Sequence, residues 1–334
     1  MKDKFDEIKE YIYSRKFLGL NIKPNWVVIV LNYNGLKHLK YSLKSLLKTR
    51  SPLKFKILVV DNNSSDNSWQ YLKRYSDNKK IELLLLKKNY GWSKANNIAM
   101  KYMIKKYNPK YFTLANNDII VHPDWLEACN KAFNFNKKIG ICGCTVFGDG
   151  EFVPYKIYLQ AKKKYQKLTI KITNKFIGGM LFNIRAKTIK LLAFIDEGFF
   201  FYGEEADLQV RASKFGVKKA IVNVPIWHNT SSTHKRYKFR ASLHQIIAQL
   251  RLAIKHESFF SFLYQFTSIF YNFIFDTKLK KLSKTLSGAR RIMPSDYKII
   301  NISILILAAI RVILNYPSLQ LRVFYENYCS TKKI

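Results

Sequence analysis

The chain predicts an α/β protein: a doubly wound, mostly parallel sheet with helices on both faces, followed by a C-terminal helical region. Short apolar runs alternate with helical patterns four times before His122, the order expected of parallel strands joined by crossover helices. Those runs are mostly apolar and do not alternate, as in strands covered on both faces. Their ends are polar, and in open α/β sheets ligands collect outside the carboxyl ends of the strands.

Taken in order, Phe5, Ile8 and Ile12 recur at helical spacing, so residues 1–25 are expected to hold a short amphipathic helix. Val27 to Leu31 reads as the first strand and ends in Asn32-Tyr33-Asn34-Gly35; Leu36, Leu39, Leu43, Leu46 and Leu47 then mark a helix. Pro52 breaks the chain before a second strand, Phe55 to Val60, which runs into Asp61-Asn62-Asn63-Ser64 and a helix with Trp69 and Leu72 inward. The third strand, Ile81 to Leu86, leads to Asn89-Tyr90-Gly91-Trp92 and a helix through Ile98, Met100, Met103 and Ile104. The fourth, Tyr111 to Leu114, ends in Asn116-Asn117-Asp118. Each polar end alone is an ordinary turn; four at one sheet edge describe a lined crevice. Neither a dinucleotide glycine fingerprint nor a Walker sequence follows the first strand. A lone carboxylate, Asp118, suits a hard cation whose other ligands are phosphates.

Composition bounds the partners. The 334 residues hold 58 Lys plus Arg against 22 Asp plus Glu, a formal charge of +36, with 48% hydrophobic and 15% aromatic residues. Such an excess implies an anionic partner: phosphorylated substrates, an anionic membrane surface or nucleic acid. Cys142 and Cys144 lie in an alternating run, Ile139 to Val146, where packing is expected in preference to zinc, which needs further ligands. The few cysteines fit a reducing, cytoplasmic location, and no signal peptide is expected at the N-terminus.

Seven segments together resemble the family 2 glycosyltransferases, which have the GT-A fold, and in particular their rhamnosyl- and galactofuranosyltransferase branch. They are VIVLNYNG at 28–35, VVDNNSSDNS at 59–68, NYGWSKANN at 89–97, LANND at 114–118, GGMLFNIR at 178–185, IDEGFFFYGEEADL at 195–208 and PIWH at 225–228. The resemblance implies a catalytic domain over residues 26–235 and metal-dependent, inverting transfer of a sugar from a UDP or dTDP donor to a glycan or lipid-linked acceptor. It places Asn32, Tyr33, Asp61, Asn89, Asn97 and Asn117 on the nucleotide, with Asp61 accepting from a pyrimidine imide N–H and Lys88 a further candidate. Asp118 and His228 would hold Mn²⁺ or Mg²⁺. Gly178, Gly179, Asp207 and Trp92 would face donor or acceptor sugar. Glu205, or else Glu204, would be the base on the acceptor hydroxyl. Two departures stand out: Asn116 replaces the first acid of a D-x-D, and Glu204-Glu205 replaces a Glu-Asp pair. Acids in a first helical turn are also favoured by the helix dipole alone.

Residues 236–334 are basic and aromatic. Phe259 to Phe275 carries no formal charge but barely reaches the length of a membrane span. Helices lying at an anionic membrane surface, at the inner face of the cell membrane, or a packing or homodimer face, are the expectations. Specific nucleic-acid binding is not expected. The competing readings are a sugar-phosphate nucleotidyltransferase, which would want a basic glycine-rich loop after strand one, and a nonenzymatic basic binding protein, which leaves the strand-end acids unexplained.

Overall fold

A computed structural model describes residues 11–16, 23–75, 78–147, 155–229, 238–257 and 259–275, with Ile310 and Val312. The chain forms two compact units, Met1–Ile195 with Gly216–Thr230, and Asp196–Phe215 with Ser231–Ile334. The segment 196–215, expected within the catalytic domain, thus clusters with the C-terminal helices.

The first unit contains β1 (Ile12–Lys16), β2 (Trp26–Asn32), α1 (Leu36–Leu47), β3 (Phe55–Asp61), α2 (Ser68–Leu72), β4 (Ile81–Leu86), α3 (Gly91–Tyr107), β5 (Tyr111–Asn116) and β6 (Ile119–Val121). It continues with α4 (Trp125–Phe135), β7 (Ile139–Phe147), α5 (Tyr155–Lys164), β8 (Ile170–Thr173), β9 (Leu181–Arg185), α6 (Ala186–Leu191) and β10 (Lys218–His228). The sheet order is β1-β4-β3-β2-β5-β9-β7-β10-β6, with β8 also on β10. Strands β4, β3, β2 and β5 are mutually parallel, so their polar ends share one edge. Beyond β5 the sheet is mixed, because β9 runs antiparallel to both β5 and β7.

Alternation along the strands splits the core. Val28, Val30, Ile57 and Val59 pack with Leu39, Leu43 and Leu46 of α1 and with Trp125 and Phe133 of α4. Their neighbours Val27, Ile29, Leu58 and Val60, equally buried, point to the opposite face, where α3 lies against β2 and β3. Cys129, Cys142 and Cys144 are free and buried in the first of these clusters, with the Cys129 and Cys144 sulfurs 3.8 Å apart.

One expectation changes. Ile12 does not continue a helix: it opens β1, which pairs antiparallel with β4 and covers that sheet edge; residues 1–10 lie outside the described residues. Strand β10 runs through Pro225 to His228, with a register shift between Val222 and Pro225, the kind of irregularity at which a residue without an N–H is tolerated.

The second unit contains α7 (Glu204–Lys214), α8 (Lys238–His256) and α9 (Phe259–Phe275). Ile246, Ile247, Leu250 and Ala253 of α8 pack with Phe262 of α9 and with Val312. Phe260, Leu263 and Tyr264 are exposed. Among the described residues no helix is long and apolar enough to cross a membrane.

Candidate active site

The edge where the parallel strands end is tied together by side chains. Asn117, after β5, donates through Nδ2 to Asn32 Oδ1 at 2.6 Å. Asn32, at the end of β2, donates to Asp61 Oδ1 at 3.0 Å and to Ser64 Oγ at 3.2 Å. Asp61, at the end of β3, also accepts from the Ser64 hydroxyl at 2.6 Å and its backbone N–H at 3.0 Å. Burial pushes the Asp61 carboxyl above its ordinary value, against the hydrogen bonds from Ser64 and Asn32 that favour its charge. Asp61 and Asn32 are fully buried, so both form the floor of the crevice. The expected contact of Asp61 with a pyrimidine imide N–H would need access to this buried carboxyl, whereas Tyr33 is 38% exposed at the same end.

Turn chemistry holds the neighbouring loops. Asn34 adopts a left-handed φ of 51° and accepts from the Ser65 N–H at 2.7 Å. Asp66 accepts from Leu36 N–H, at the start of α1, at 2.9 Å. Asn62, not singled out from sequence, donates to Asn89 Oδ1 at 2.8 Å and accepts from Tyr90 N–H at 3.0 Å. An Asn repeating at successive strand ends was the available signal for it.

Asp118 and His228 meet because β6, directly after Asp118, pairs antiparallel with the end of β10, His228 opposite Ile119. Asp118 Oδ1 and His228 Nε2 are 3.2 Å apart, and Asn229 N–H donates to Asp118 C=O at 2.9 Å. Asn116 Nδ2 lies 3.4 Å from the same His228 nitrogen. The side chain that replaces an acid therefore still faces the pair. Gly178 and Gly179 belong to the turn before β9, and Asn116 N–H donates to Met180 C=O at 3.0 Å, so this turn abuts the end of β5. A carboxylate oxygen and an imidazole nitrogen converging on one point, each side chain about nine-tenths buried, fit a divalent cation that takes its remaining ligands from phosphate and water.

The acidic turn lies in the second unit. Tyr202 and Gly203 are both left-handed, φ 71° and 83°, a strained conformation for tyrosine of the kind that marks functional loops. Glu204 is buried, and burial, then the neighbouring Glu205, push its carboxyl well above the ordinary range. Burial and the two glutamates likewise raise the Tyr202 phenol. Glu205 is only partly buried, so it is the more accessible of the two.

Three residues expected at the ligands are buried or engaged within the protein. Asn97 is buried and its amide bonds both backbone groups of Ile195, donating to C=O at 2.9 Å and accepting from N–H at 3.1 Å. Trp92 is buried in the first turn of α3. Asp207 has no exposed surface, and its oxygens are taken by Arg211, Lys255 and His256. Burial alone would raise the Asp207 carboxyl, but Arg211, His256 and Lys255 outweigh it and hold it well below the usual range.

A parallel sheet edge with these polar ends and a carboxylate–imidazole pair beside it fit the GT-A architecture. Residues 27–192, about half of the chain, match the family model described as Glycosyl transferase family 2; the chain belongs to that family and is a glycosyltransferase. Solved structures share the fold. A mannosyltransferase from Pyrobaculum calidifontis, PcManGT, in complex with GDP-Man and Mn²⁺, superposes with a TM-score of 0.51 at 13% identity, covering 98% of this chain and 93% of that one. S. aureus TarS 1-349 superposes with a TM-score of 0.50 at 17% identity over 88% and 90% of the two chains. The same protein in complex with UDP-GlcNAc gives 0.50 at 16% over the same shares. No curated protein sequence matches the chain.

Proposed function

We propose that the protein transfers a sugar from a UDP- or dTDP-sugar to a hydroxyl of a glycan or lipid-linked acceptor by a single inverting displacement. The observation that carries this is the Asp118–His228 pair beside the Asn117–Asn32–Asp61 chain at the carboxyl ends of parallel strands. Nucleotide sugars and Mn²⁺ in the solved relatives support it. Tyr33 offers an exposed ring to a base, and Asn32 with Asp61 keeps the floor beneath rigid. Asn117 and Asn89 remain candidates for polar contacts to ribose or phosphate. Asp118 and His228 would hold Mn²⁺ or Mg²⁺, with the Asn116 amide facing them. When bound, such an ion neutralises charge developing on a diphosphate leaving group. The Gly178-Gly179 turn abuts Asn116 without side-chain bulk and suits the sugar. Glu205 would take the acceptor proton; a base needs access and a tuned pKa. With Glu205 as base and no protein nucleophile proposed, the transfer would be a single displacement with inversion. The exposed aromatic face of α9 and the net positive charge support peripheral docking at an anionic cytoplasmic membrane face, where lipid-linked acceptors reside, or a homodimer contact.

Thermal midpoints with UDP, dTDP, GDP and CMP, each with and without Mn²⁺ or Mg²⁺, test the donor half. Saturation at about a hundredfold the dissociation constant adds about 2.7 kcal/mol. A metal-dependent rise with UDP or dTDP, lost in Asp118→Asn, is expected; no rise with any of the four overturns it. NMR of the anomeric carbon of the transferred sugar in the glycoside product reads inversion, and retained configuration refutes that part.

A further inference from the structure

The segment carrying Glu204 and Glu205 begins at Asp196 and ends at Asp207, and one face of α8 grips it along its length. His244, Ala248, Arg251 and Lys255 recur at helical spacing and so share that face. Phe200 stacks on His244, with ring centroids 4.8 Å apart and planes 17° apart. A Cβ on Gly203 would lie 2.9 Å from Ala248 Cβ, and one on Gly198 would lie 2.1 Å from Arg251 Nη2. The two glycines therefore let the backbone lie directly on the helix. Arg251 also covers the Phe199 ring at 5.2 Å.

Charge closes the two ends of the segment. Arg251 Nη2 donates to Asp196 Oδ1 and Oδ2 at 3.1 and 3.0 Å. Lys255 Nζ bridges Asp196 Oδ2 at 3.1 Å and Asp207 Oδ1 at 2.6 Å. His256 Nε2 reaches Asp207 Oδ1 at 2.8 Å, and Arg211 of α7 reaches Oδ2 at 2.7 Å. All these groups are buried except His256, which is nearly so. Burying ions costs several kcal/mol each and is often no better for stability than apolar packing. What such a network supplies is one fixed geometry, and the geometry fixed here is that of the turn bearing Glu205.

We propose that Lys255 and Arg251 are positioning residues: through Asp196 and Asp207 they make α8, outside the matched family segment, part of the catalytic apparatus by setting the Glu205 carboxylate. This rests on Glu205 being the acceptor base. Lys255 is the keystone because it reaches both ends of the segment, Asp196 and Asp207.

The test compares Lys255→Met, Lys255→Arg and Glu205→Gln in the full chain. One measurement is nucleoside diphosphate release from UDP-, dTDP- and GDP-hexoses, with water as acceptor; the other is hydrogen exchange of residues 196–207. For Lys255→Met the expected result is faster exchange confined to 196–207 and a kcat lower by about tenfold to hundredfold, the range a small misplacement produces. KM for the nucleotide sugar should stay within about twofold, and Lys255→Arg should restore most of kcat. Wild-type kcat in Lys255→Met, while Glu205→Gln loses turnover, overturns the proposal. So does a joint loss of kcat and donor binding without faster exchange in 196–207, which would mark a general structural role. Wild-type turnover in Glu205→Gln would instead refute the base assignment, while exchange would still report whether the clamp exists. If Lys255→Met fails to fold, His244→Ala, which removes the ring stacked on Phe200, should show the same pattern in weaker form.

Discussion

Replacing Gly35 with alanine tests the crevice floor with a single methyl group. Gly35 has φ −119° and ψ 25°, which alanine adopts without strain, so the cost is steric. The new Cβ would lie 2.0 Å from Asn117 Nδ2, 3.0 Å from Asn117 Cγ and 3.0 Å from Asn32 Oδ1. Asn32 cannot yield, because its amide is held by Asp61 and Ser64. Asn117 must swing away and give up its 2.6 Å bond to Asn32. Overpacking of this kind costs about 1–3 kcal/mol. If that cost falls on nucleotide binding, the dissociation constant rises about 5- to 150-fold. Calorimetric titration of UDP with Mn²⁺ reads the affinity, and the thermal midpoint reads whatever falls on folding. Asn117→Ala removes the atom struck, so adding Gly35→Ala to it should cost much less than in the wild type, a non-additive cycle. Wild-type affinity and midpoint in Gly35→Ala, or strictly additive costs, would refute this account of the floor.

Two further outcomes follow from side chains that the structure reassigns. Asn97→Ala loses both bonds to Ile195, each with a net worth of about 1 kcal/mol; the thermal midpoint should fall while UDP affinity stays within about twofold, and a selective loss of affinity would return Asn97 to the nucleotide. Asp207→Asn should cost about 3–5 kcal/mol at neutral pH, as breaking a buried ion pair does. Because the folded Asp207 carboxyl sits well below its unfolded value, its stabilisation is complete above the unfolded value of about 3.9 and disappears as pH falls through the folded one. The midpoint gap between wild type and Asp207→Asn should therefore narrow only below about pH 4, and a gap that is constant down to pH 2 would contradict the clamp by Arg211, Lys255 and His256.

Much of this protein is local in origin and therefore legible in sequence. Wholly or largely apolar runs, such as Val27 to Leu31 and Ile81 to Leu86 with its single Glu82, satisfy their burial as inner strands, and Asn, Asp and Gly at their ends follow from turn chemistry. Parallel pairing then puts those ends at one edge, which is why Asn32, Asp61 and Asn117 could be grouped before any contact was seen. Phe259 to Phe275, an uncharged aromatic run, also forms a helix with those bounds.

Only tertiary structure decided what depends on partners distant in the chain. Ile12 had helical spacing, but β4 offered it an unpaired edge, and ladder hydrogen bonds prevailed over periodicity. His228 reaches Asp118 through the β6–β10 pairing, which no local pattern encodes. Asn97 and Asp207 were polar residues in promising motifs, yet the Ile195 backbone and the α8 cations consumed them. A side chain's chemistry is written in its type, but whether it faces ligand or protein depends on which remote groups compete for its hydrogen bonds, and only the folded chain settles that competition.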